Sequence, residues 1–274
     1  MAAFLTVKPK IPGSDLSGVV EDVGGSTKWQ RGDRVFALTD GYKFSNNSGC
    51  FAEYMAVPED QLAAMPANVD FNKAAAVPCT ALTAWQALDK IKMQAGKRIL
   101  IQAGSGGVGA WLVQLAKYRG FHVTATCSTP NVDFVKGLGA DVVIDYTQQH
   151  ISESISQSGK FDAAVDCVGG QVETETYFCL SRRGSFSAIM NPGMSISNVL
   201  FRFVKGLLRL GPRYSMVFCG PNGRQLAQIA SLIGSGKALV DVDKVFPLAQ
   251  AAAATEYFEG RRGGHGKVVL AVAA

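Results

Sequence analysis

The chain has 274 residues, of which 47% are hydrophobic and 18% are charged, with 30 glycines and 10 prolines. This length accommodates one large domain or two modest ones, and the composition excludes a disulfide-stapled miniprotein and a disordered chain. Lys and Arg number 27 against 22 Asp and Glu, a net charge of +5. The basic residues are scattered, apart from Arg182-Arg183, Arg261-Arg262 and a looser set between Arg202 and Arg213, so we expect no nucleic-acid partner.

The cysteines and the apolar runs bear on the compartment. None of the six cysteines is closely paired with another, which favours reduced thiols inside the cell. The N-terminal residues lack the long apolar run of a signal peptide, and no uncharged apolar stretch reaches the about 18 residues of a membrane-spanning helix. The sequence therefore predicts a soluble intracellular protein.

The first third of the chain has the texture of an all-β region. Apolar runs there are short and are separated by glycine-rich turns such as Val23-Gly24-Gly25. The strands predicted in this region are Leu16–Asp22, Asp33–Leu38 and Cys50–Val57.

From Lys97 onward, short apolar runs alternate with segments of helical periodicity, as in parallel strands joined by crossover helices. This pattern predicts an α/β fold with a doubly wound parallel sheet. The first crossover helix is expected over Val108–Arg119, a later helix over Leu248–Phe258, and a last strand over Lys267–Val272. The strands predicted for the sheet are Arg98–Ala103, His122–Cys127, Val142–Asp145, Phe161–Cys167 and Ser185–Met190.

A glycine-rich turn follows the first strand of this sheet and opens its helix. It reads Gly104-Ser105-Gly106-Gly107-Val108-Gly109, a GxGxxG motif. Glycines allow a tight turn and let backbone N–H groups approach a pyrophosphate at the positive end of a helix dipole. The turn therefore predicts a dinucleotide site, with a glycine-rich turn that binds nothing as the alternative.

The end of the second strand indicates which dinucleotide is bound. An acid at that position usually binds the free 2′-hydroxyl of NAD, but Thr126 to Asn131 contains none, and Asp133 lies beyond Pro130. Ser128 can donate a hydrogen bond to a 2′-phosphate, so NADP(H) is favoured over NAD(H). The alternative role for Ser128 is to cap the helix that follows.

Seven stretches follow one another along almost the whole chain in a recognisable order: Pro12 to Val20, Gly32 to Val35, Ala81 to Trp85, Ala103 to Gly109, Leu138 to Asp141, Val165 to Gly170 and Gly266 to Leu270. In this order they resemble the medium-chain dehydrogenase/reductase superfamily in its zinc-free quinone oxidoreductase branch. Asn198 to Gly223, Cys127-Ser128 and Ile144-Asp145-Tyr146 are similar to the mitochondrial reticulon-interacting subfamily, which implies a mitochondrial protein; otherwise we expect a cytoplasmic one.

The resemblance implies a central Rossmann NADP(H)-binding domain over residues 83–240 and a GroES-like β-rich catalytic domain built from residues 1–82 and 241–274. Relatives have strands ahead of Pro12, so this domain is expected to be incomplete at its N-terminus. The implied reaction is hydride transfer from NADPH to a quinone or an α,β-unsaturated carbonyl. Thr83 would lie beside the nicotinamide as the candidate catalytic residue. The implied cofactor-binding residues are Gly104, Ser105, Gly106, Gly107, Val108, Gly109, Ser128, Tyr146, Val168, Gly169, Gly264 and His265.

Other chemistries remain as alternatives. Zinc members of the superfamily carry Gly-His-Glu where this chain has Gly13-Ser14-Asp15, and Cys79 alone does not make a zinc site, so we expect no metal. A binding protein that holds NADPH with little or no turnover is a second reading. A serine hydrolase that uses Ser105, an acid and His265 in that order is a third.

The segment Val199 to Leu210 is apolar except for Arg202, Lys205, Gly206 and Arg209. A basic amphipathic helix of this kind can lie on a membrane surface. Its place after the fifth strand of the sheet favours packing over a substrate cleft or against a second copy in a homodimer, and we keep membrane contact as the alternative.

Overall fold

The computed structural model describes residues 11–25, 28–39, 49–151, 153, 159–189, 196–261 and 263–272. Its strands in chain order are β1 (Asp15–Val19), β2 (Arg34–Leu38), β3 (Leu62–Ala64), β4 (Arg98–Ile101), β5 (His122–Cys127), β6 (Val142–Asp145), β7 (Phe161–Asp166), β8 (Leu180–Ile189), β9 (Arg213–Val217), β10 (Val242–Pro247) and β11 (Lys267–Ala271). Its helices are α1 (Phe71–Ala75), α2 (Pro78–Lys90), α3 (Gly107–Tyr118), α4 (Val132–Gly137), α5 (Gly170–Phe178), α6 (Ile196–Leu207), α7 (Gly223–Gly234) and α8 (Ala251–Gly260).

Six parallel strands form the central sheet, in the spatial order β6-β5-β4-β7-β8-β9. Counted from β4, this is the 3-2-1-4-5-6 order of dinucleotide-binding folds. The strand order reverses between β4 and β7, and ligands of such sheets bind in the crevice at the carboxyl ends of these strands. The predicted α/β fold with a doubly wound sheet is confirmed.

The middle of the sheet is apolar on both faces because helices cover both of them. Ile99, Leu100 and Ile101 of β4 are all buried, which is why this strand reads as a continuous apolar run and not as an alternating one. Helix α3 packs between the sheet and α2, so it buries residues on more than one side, Trp111 and Val113 as well as Leu112 and Leu115.

The chain ends form two smaller sheets beside this domain. Strands β1, β2 and β3 pair antiparallel, and β10 pairs with β11 in parallel. Helix α1 contacts β1 and β11, so the two ends of the chain meet. Lys267 Nζ lies 3.4 Å from Asp15 Oδ2 and joins them by an ion pair. The residue limits of the domains stay a prediction.

Several sequence-based boundaries are wrong. The predicted strand Cys50–Val57 is absent: the chain bends at residues 50–53, Tyr54 is 77% exposed, and Val57 packs against a core cluster without being part of a strand. The third strand of the N-terminal sheet, beside β1 and β2, is β3, which is only 3 residues long. Ala103 is not the end of β4 but a turn residue with φ of +53°. The sequence also failed to indicate β9 and β10, and Met190 lies outside the described residues.

Helix α6 is present where a basic amphipathic helix was predicted, but Arg202 does not lie on its solvent face. Its guanidinium is buried and forms an ion pair with Glu173, and its Nη2 donates to Thr174 Oγ1 at 2.7 Å. Val199 packs against the core, whereas most of the other apolar side chains of this helix, Leu200, Phe203 and Leu207 among them, are exposed. No helix among the described residues has the length and hydrophobicity needed to cross a membrane.

Candidate functional site

The glycine turn occupies the crevice where the strand order reverses. Ala103 adopts a left-handed conformation, its N–H donates to Thr126 Oγ1 at 3.1 Å, and the next N–H, of Gly104, donates to the Thr126 carbonyl at 2.7 Å. The N–H of Gly106 returns to the Ala103 carbonyl at 2.9 Å. These bonds turn the backbone sharply from β4 into α3.

The glycines of the motif are required by close packing. A Cβ on Gly109 would lie 1.9 Å from the Ala103 carbonyl oxygen, which no side chain permits. A Cβ on Gly104 would lie 2.9 Å from the Cβ of Ala125 on the neighbouring strand. Gly109 therefore lets the helix begin directly against the turn, and Gly104 lets the turn lie close to β5.

The N-terminus of α3 presents backbone donors to the crevice. The N-cap residue is Gly106, and no side chain caps this end of the helix. The first N–H groups of a helix have no partner within it and carry partial positive charge. The Lys267 side chain passes close by, since a Cβ on Gly107 would lie 3.9 Å from Lys267 Cδ. This arrangement fits the paired phosphates of a dinucleotide.

A buried chain of hydrogen bonds supports the turn from below. Thr126 Oγ1 donates to Gln102 Oε1 at 2.6 Å, Gln102 Nε2 donates to Thr176 Oγ1 at 2.7 Å, and Thr176 Oγ1 donates to the Val172 carbonyl at 2.6 Å. This series of hydrogen bonds links β4, β5 and α5. It fixes Thr126, whose Oγ1 accepts a hydrogen bond from the Ala103 N–H. Sequence reasoning missed it because the only local signal was the polar Gln102 and Thr126 in or beside the apolar runs of β4 and β5, and nothing in the sequence joins them to Thr176.

The turn after β7 forms the other side of the crevice. Asp166 accepts hydrogen bonds from the N–H groups of Gly169 at 2.8 Å and Val168 at 3.3 Å. Gly169 has φ of +83°, a conformation that favours glycine. Burial raises the pKa of Asp166 to about 6, although both amide bonds favour its charged form. The predicted residues Val168 and Gly169 thus lie at the carboxyl end of β7, fixed by a carboxyl that the sequence analysis did not single out.

Ser128 lies at the carboxyl end of β5 and touches the C-terminal loop. Asn131 Nδ2 donates both to Ser128 Oγ at 3.0 Å and to the Gly263 carbonyl at 2.8 Å. The Ser128 side chain makes no capping hydrogen bond to the short helical turn that follows, so the capping alternative is wrong. The structure brings Ser128 and the loop that contains Gly264 to one corner of the crevice.

A carboxylate does lie near this corner, but it comes from the neighbouring strand. Thr129 Oγ1 donates to Asp145 Oδ2 at 2.6 Å, and the Thr147 N–H donates to Asp145 Oδ1 at 2.9 Å. Hydrogen bonds from Thr129 and Thr147 lower the pKa of Asp145. Tyr146 is the residue directly after β6. Its N–H donates to the Cys127 carbonyl at 3.1 Å, and its side chain is exposed.

His265 is fixed against α4. Its ring stacks on Phe134, with 4.0 Å between ring centroids, and its Nδ1 lies 2.5 Å from Asp241 Oδ2. Arg261 Nη2 donates to the Gly266 carbonyl at 2.9 Å and completes the loop. Within the described part of the chain, no hydrogen bond joins His265 to Ser105, so the structure does not assemble the triad that a serine hydrolase needs.

Thr83 lies in a buried polar group where the chain ends meet the Rossmann domain. It is 5% exposed, and its hydroxyl donates to the Cys79 carbonyl at 2.6 Å. The N–H of Cys79 donates to Asp15 Oδ1 at 2.7 Å, and the other oxygen of this carboxylate pairs with Lys267. Asp15 and Lys267 were noted in the sequence only as parts of matching motifs, because nothing local shows that they pair.

The side chains of this group do not fit a zinc ion. Zinc binds thiolates, but burial raises the pKa of Cys79 to about 12, with the Asp15 charge acting in the same direction. Burial also raises the pKa values of the Cys50 and Cys219 thiols. Both oxygens of Asp15 are already bonded, one of them to a cation. Among the described residues, no three His, Cys, Asp or Glu side chains are grouped so that they could hold a metal.

Comparison with known proteins gives consistent matches. The alcohol dehydrogenase GroES-like domain matches residues 3–67, and a family described as zinc-binding dehydrogenase matches residues 138–270. The mitochondrial NAD(P)H oxidoreductase RTN4IP1 of Mus musculus is 32% identical over 290 residues, 96% of this chain and 71% of that protein. The chloroplastic NADPH-dependent alkenal/one oxidoreductase of Arabidopsis thaliana is 34% identical over 269 residues, 96% of this chain and 64% of that protein.

A solved structure agrees with these matches. The quinone oxidoreductase from Coxiella burnetii superposes with a TM-score of 0.84 at 30% identity, covering 97% of this chain and 80% of that one. Identity at this level over nearly the whole chain, together with the two family matches, shows that the chain belongs to the medium-chain dehydrogenase/reductase superfamily of oxidoreductases.

Proposed function

We propose that this chain reduces a quinone or an α,β-unsaturated carbonyl by hydride transfer from NADPH, without zinc. The observation that carries the proposal is the uncapped N-terminus of α3 behind a glycine turn, at the point where the order of the parallel strands reverses. Relatives named as quinone and alkenal/one oxidoreductases support the acceptor class. Relatives named as mitochondrial support a mitochondrial location.

The chain's own residues position the cofactor. The N–H groups at the start of α3 and the ammonium of Lys267 would bind the pyrophosphate, because together they offer fixed donors and a positive charge. Val168 and Gly169 would border the cofactor from the β7 side. Ser128, Tyr146, Gly264 and His265 would border its adenosine end. NADPH supplies the hydride when bound, and the protein holds the acceptor in place and excludes water.

NADPH is favoured over NADH by the neutral end of β5. Ser128 offers a hydroxyl donor where NAD-binding relatives of the fold place a carboxylate. The nearby Asp145 carboxylate is held by Thr129 and Thr147. The cofactor preference therefore rests on Ser128 being closer to the bound ribose than Asp145 is.

Negative charge that develops on the acceptor oxygen needs hydrogen-bond donors or solvent protons, since the side chains here do not fit zinc. The hydroxyl of Thr83 already donates to the Cys79 carbonyl, and a hydroxyl has a single proton to donate. Thr83 could serve the acceptor only by giving up that bond.

The test is oxidation of NADPH and of NADH by the purified chain, with a panel of quinones and enals as acceptors. We expect NADPH to be consumed faster than NADH, and dialysis against a strong chelator to leave the rate unchanged. A rate that falls on chelation and returns with zinc would contradict the zinc-free reaction. Binding of NADPH with no turnover on any acceptor would favour the alternative, a nucleotide-binding protein.

A further inference from the structure

Asn131 lies where the adenosine end of the cofactor is expected, between β5 and the loop of residues 263–266. It ends the short helical turn that follows β5 and directly precedes α4. The residue is 3% exposed, and its side chain makes no capping hydrogen bond to α4. Burial of a polar side chain is unfavourable unless its groups find partners. The partners of this amide therefore indicate its role.

Both protons of the Asn131 amide nitrogen are used. Asn131 Nδ2 donates to the Gly263 carbonyl at 2.8 Å and to Ser128 Oγ at 3.0 Å. A carbonyl oxygen can only accept a hydrogen bond, so the amide must turn its nitrogen and not its oxygen toward Gly263. The same nitrogen faces Ser128, and the Ser128 oxygen consequently has to accept.

The Gly263 carbonyl that orients the amide is itself held in place. The loop that contains it is attached to α4 by the ring of His265, which stacks on Phe134 with 4.0 Å between the ring centroids. Arg261 Nη1 donates to the His265 carbonyl at 3.3 Å and braces the loop from the other side. Asn131 is therefore oriented by a fixed acceptor.

The bond from Asn131 determines what Ser128 can offer a ligand. A hydroxyl has one proton and two lone pairs, and Asn131 occupies one lone pair. Within the described part of the chain, the Ser128 proton has no acceptor, because the side chain makes no capping bond and its hydroxyl takes part only in the bond from Asn131. Ser128 is partly exposed at the carboxyl end of β5. Its hydroxyl is thus left to donate to a ligand.

A donor at this corner distinguishes the two nicotinamide cofactors. The 2′-phosphate of NADPH carries charged oxygens that accept hydrogen bonds, whereas the 2′-hydroxyl of NADH is usually bound by a carboxylate that accepts from it. The Asp145 carboxylate on β6 is already bonded by Thr129 and Thr147. Ser128 as a donor matches the phosphate, and a Ser128 whose proton pointed toward residue 131 would not.

We propose that Asn131 is a positioning residue for recognition of the 2′-phosphate, because its amide makes the Ser128 hydroxyl a donor toward the cofactor. The inference rests on the proposed function, since it takes the adenosine end of NADPH to lie at Ser128. It assigns the cofactor preference to two side chains, of which only Ser128 touches the phosphate. Loss of the Asn131 amide should then weaken NADPH binding and leave NADH binding little changed.

Equilibrium binding of NADPH and NADH, with no acceptor present, tests the proposal. The Kd of each cofactor is measured by fluorescence titration of the whole chain, so that turnover plays no part. In Asn131→Leu, which has a similar shape but no donor, we expect the preference for NADPH to fall about fivefold or more. The Kd for NADH should stay within about threefold of the wild-type value. An equal loss for both cofactors would contradict the proposal, because Asn131 would then only support the fold.

A double-mutant cycle shows whether Asn131 acts through Ser128. Ser128→Ala removes the donor and should lower the preference for NADPH about tenfold. Adding Asn131→Leu to Ser128→Ala should lower the preference no further, because the hydroxyl that Asn131 orients is already gone. Losses that simply add would show that Asn131 acts on the cofactor independently of Ser128, against the proposal.

Asn68→Leu is the matched control. Asn68 Nδ2 also donates to the backbone carbonyl of a distant segment, that of Gly234 in α7 at 3.2 Å, and this variant should bind both cofactors as the wild type does. Melting temperatures show whether each variant is folded. If Asn131→Leu does not fold, Asn131→Ala removes the same donors without an added apolar group, and the same changes in Kd are expected of it.

The measurements separate this inference from the proposed function. A wild type that prefers NADPH, a Ser128→Ala variant that loses the preference and an Asn131→Leu variant that keeps it would overturn the inference and leave the proposed function standing. A wild type that binds both cofactors equally, or neither, would overturn the placement of NADPH at Ser128 and the inference with it.

Discussion

Asp166 links the turn after β7 to the pH dependence of stability. Its burial raises its pKa to about 6 from the ordinary value of 3.8. Between these two pH values the native protein holds a proton that the unfolded chain has released. Protonation of this carboxyl therefore stabilises the fold as the pH falls through the raised pKa, and the gain is lost as the pH rises.

The variant Asp166→Asn tests this. Its amide does not titrate, so the wild type should lose about 1 kcal/mol of unfolding free energy relative to the variant between about pH 5 and pH 7.5. Urea unfolding of both proteins at the two pH values measures the difference. A difference that is constant with pH, or that changes in the opposite sense, would show that Asp166 is ionised throughout in the folded protein.

Ser128 is the residue on which the cofactor preference depends. Ser128→Asp places a carboxylate at the end of β5, where it would repel a 2′-phosphate and accept from a 2′-hydroxyl. The new side chain can still accept the hydrogen bond that Asn131 donates to Ser128, so the fold should be kept. We expect the KM for NADPH to rise by about tenfold or more, and the KM for NADH to fall or stay constant.

Asp145→Asn is the matched control for that change. It removes the carboxylate one strand away and should leave the KM for NADH within a few-fold of wild type if Ser128 is the nearer group. A switch of preference caused by Asp145→Asn and not by Ser128→Asp would assign the adenosine ribose to β6. Sequence reasoning looked for an acid along β5 only, and it missed Asp145 because strand neighbours in space are not neighbours in the chain.

At the level of elements, the junction of β4 and α3 depends on glycine. In Gly109→Ala the new Cβ would lie 1.9 Å from the Ala103 carbonyl oxygen, so the start of α3 must move and the N–H groups must lose their alignment. We expect loss of NADPH binding and a fall of about 2 kcal/mol or more in the free energy of unfolding. Titration of the variant with NADPH and urea unfolding measure the two effects.

Gly137→Ala in α4 provides the comparison, because a Cβ at that position meets no atom within 4 Å. Its stability should stay the same or rise by up to about 1 kcal/mol, since alanine favours helix. Equal behaviour of the two variants would mean that the turn tolerates displacement and that its glycines are not required.

Elements were predictable where the chain is apolar over a long enough run. Strands β4, β5 and β7 are almost continuous buried runs bounded by turns, which the pattern identifies directly. Strand β3 has 3 residues, too few for a period to be seen, and β9 lies at the sheet edge with Ser215 and Met216 only partly buried. The apolar residues of Cys50–Val57 imitate a strand, but only Val57, at the end of this run, packs against a core cluster.

At the scale of the whole molecule, the site combines local and distant parts. The glycine turn could be found in the sequence because its residues are consecutive. The Asp15–Lys267 pair, the Asp241–His265 pair and the Asn131–Gly263 contact join residues from separate parts of the chain. Such contacts depend on how the chain ends fold back onto the sheet, which periodicity does not report; only the family resemblance indicated it.

The most direct test of the central claim is the melting temperature of the purified chain with NADPH, with NADH and with neither. A ligand that binds only the folded state raises the melting temperature according to its affinity. We predict a rise of about 5 °C at NADPH concentrations about 100-fold above Kd, a smaller rise with NADH, and none with either cofactor in Gly109→Ala. No shift of the wild type with either cofactor, or equal shifts in wild type and Gly109→Ala, would contradict a dinucleotide site at the start of α3.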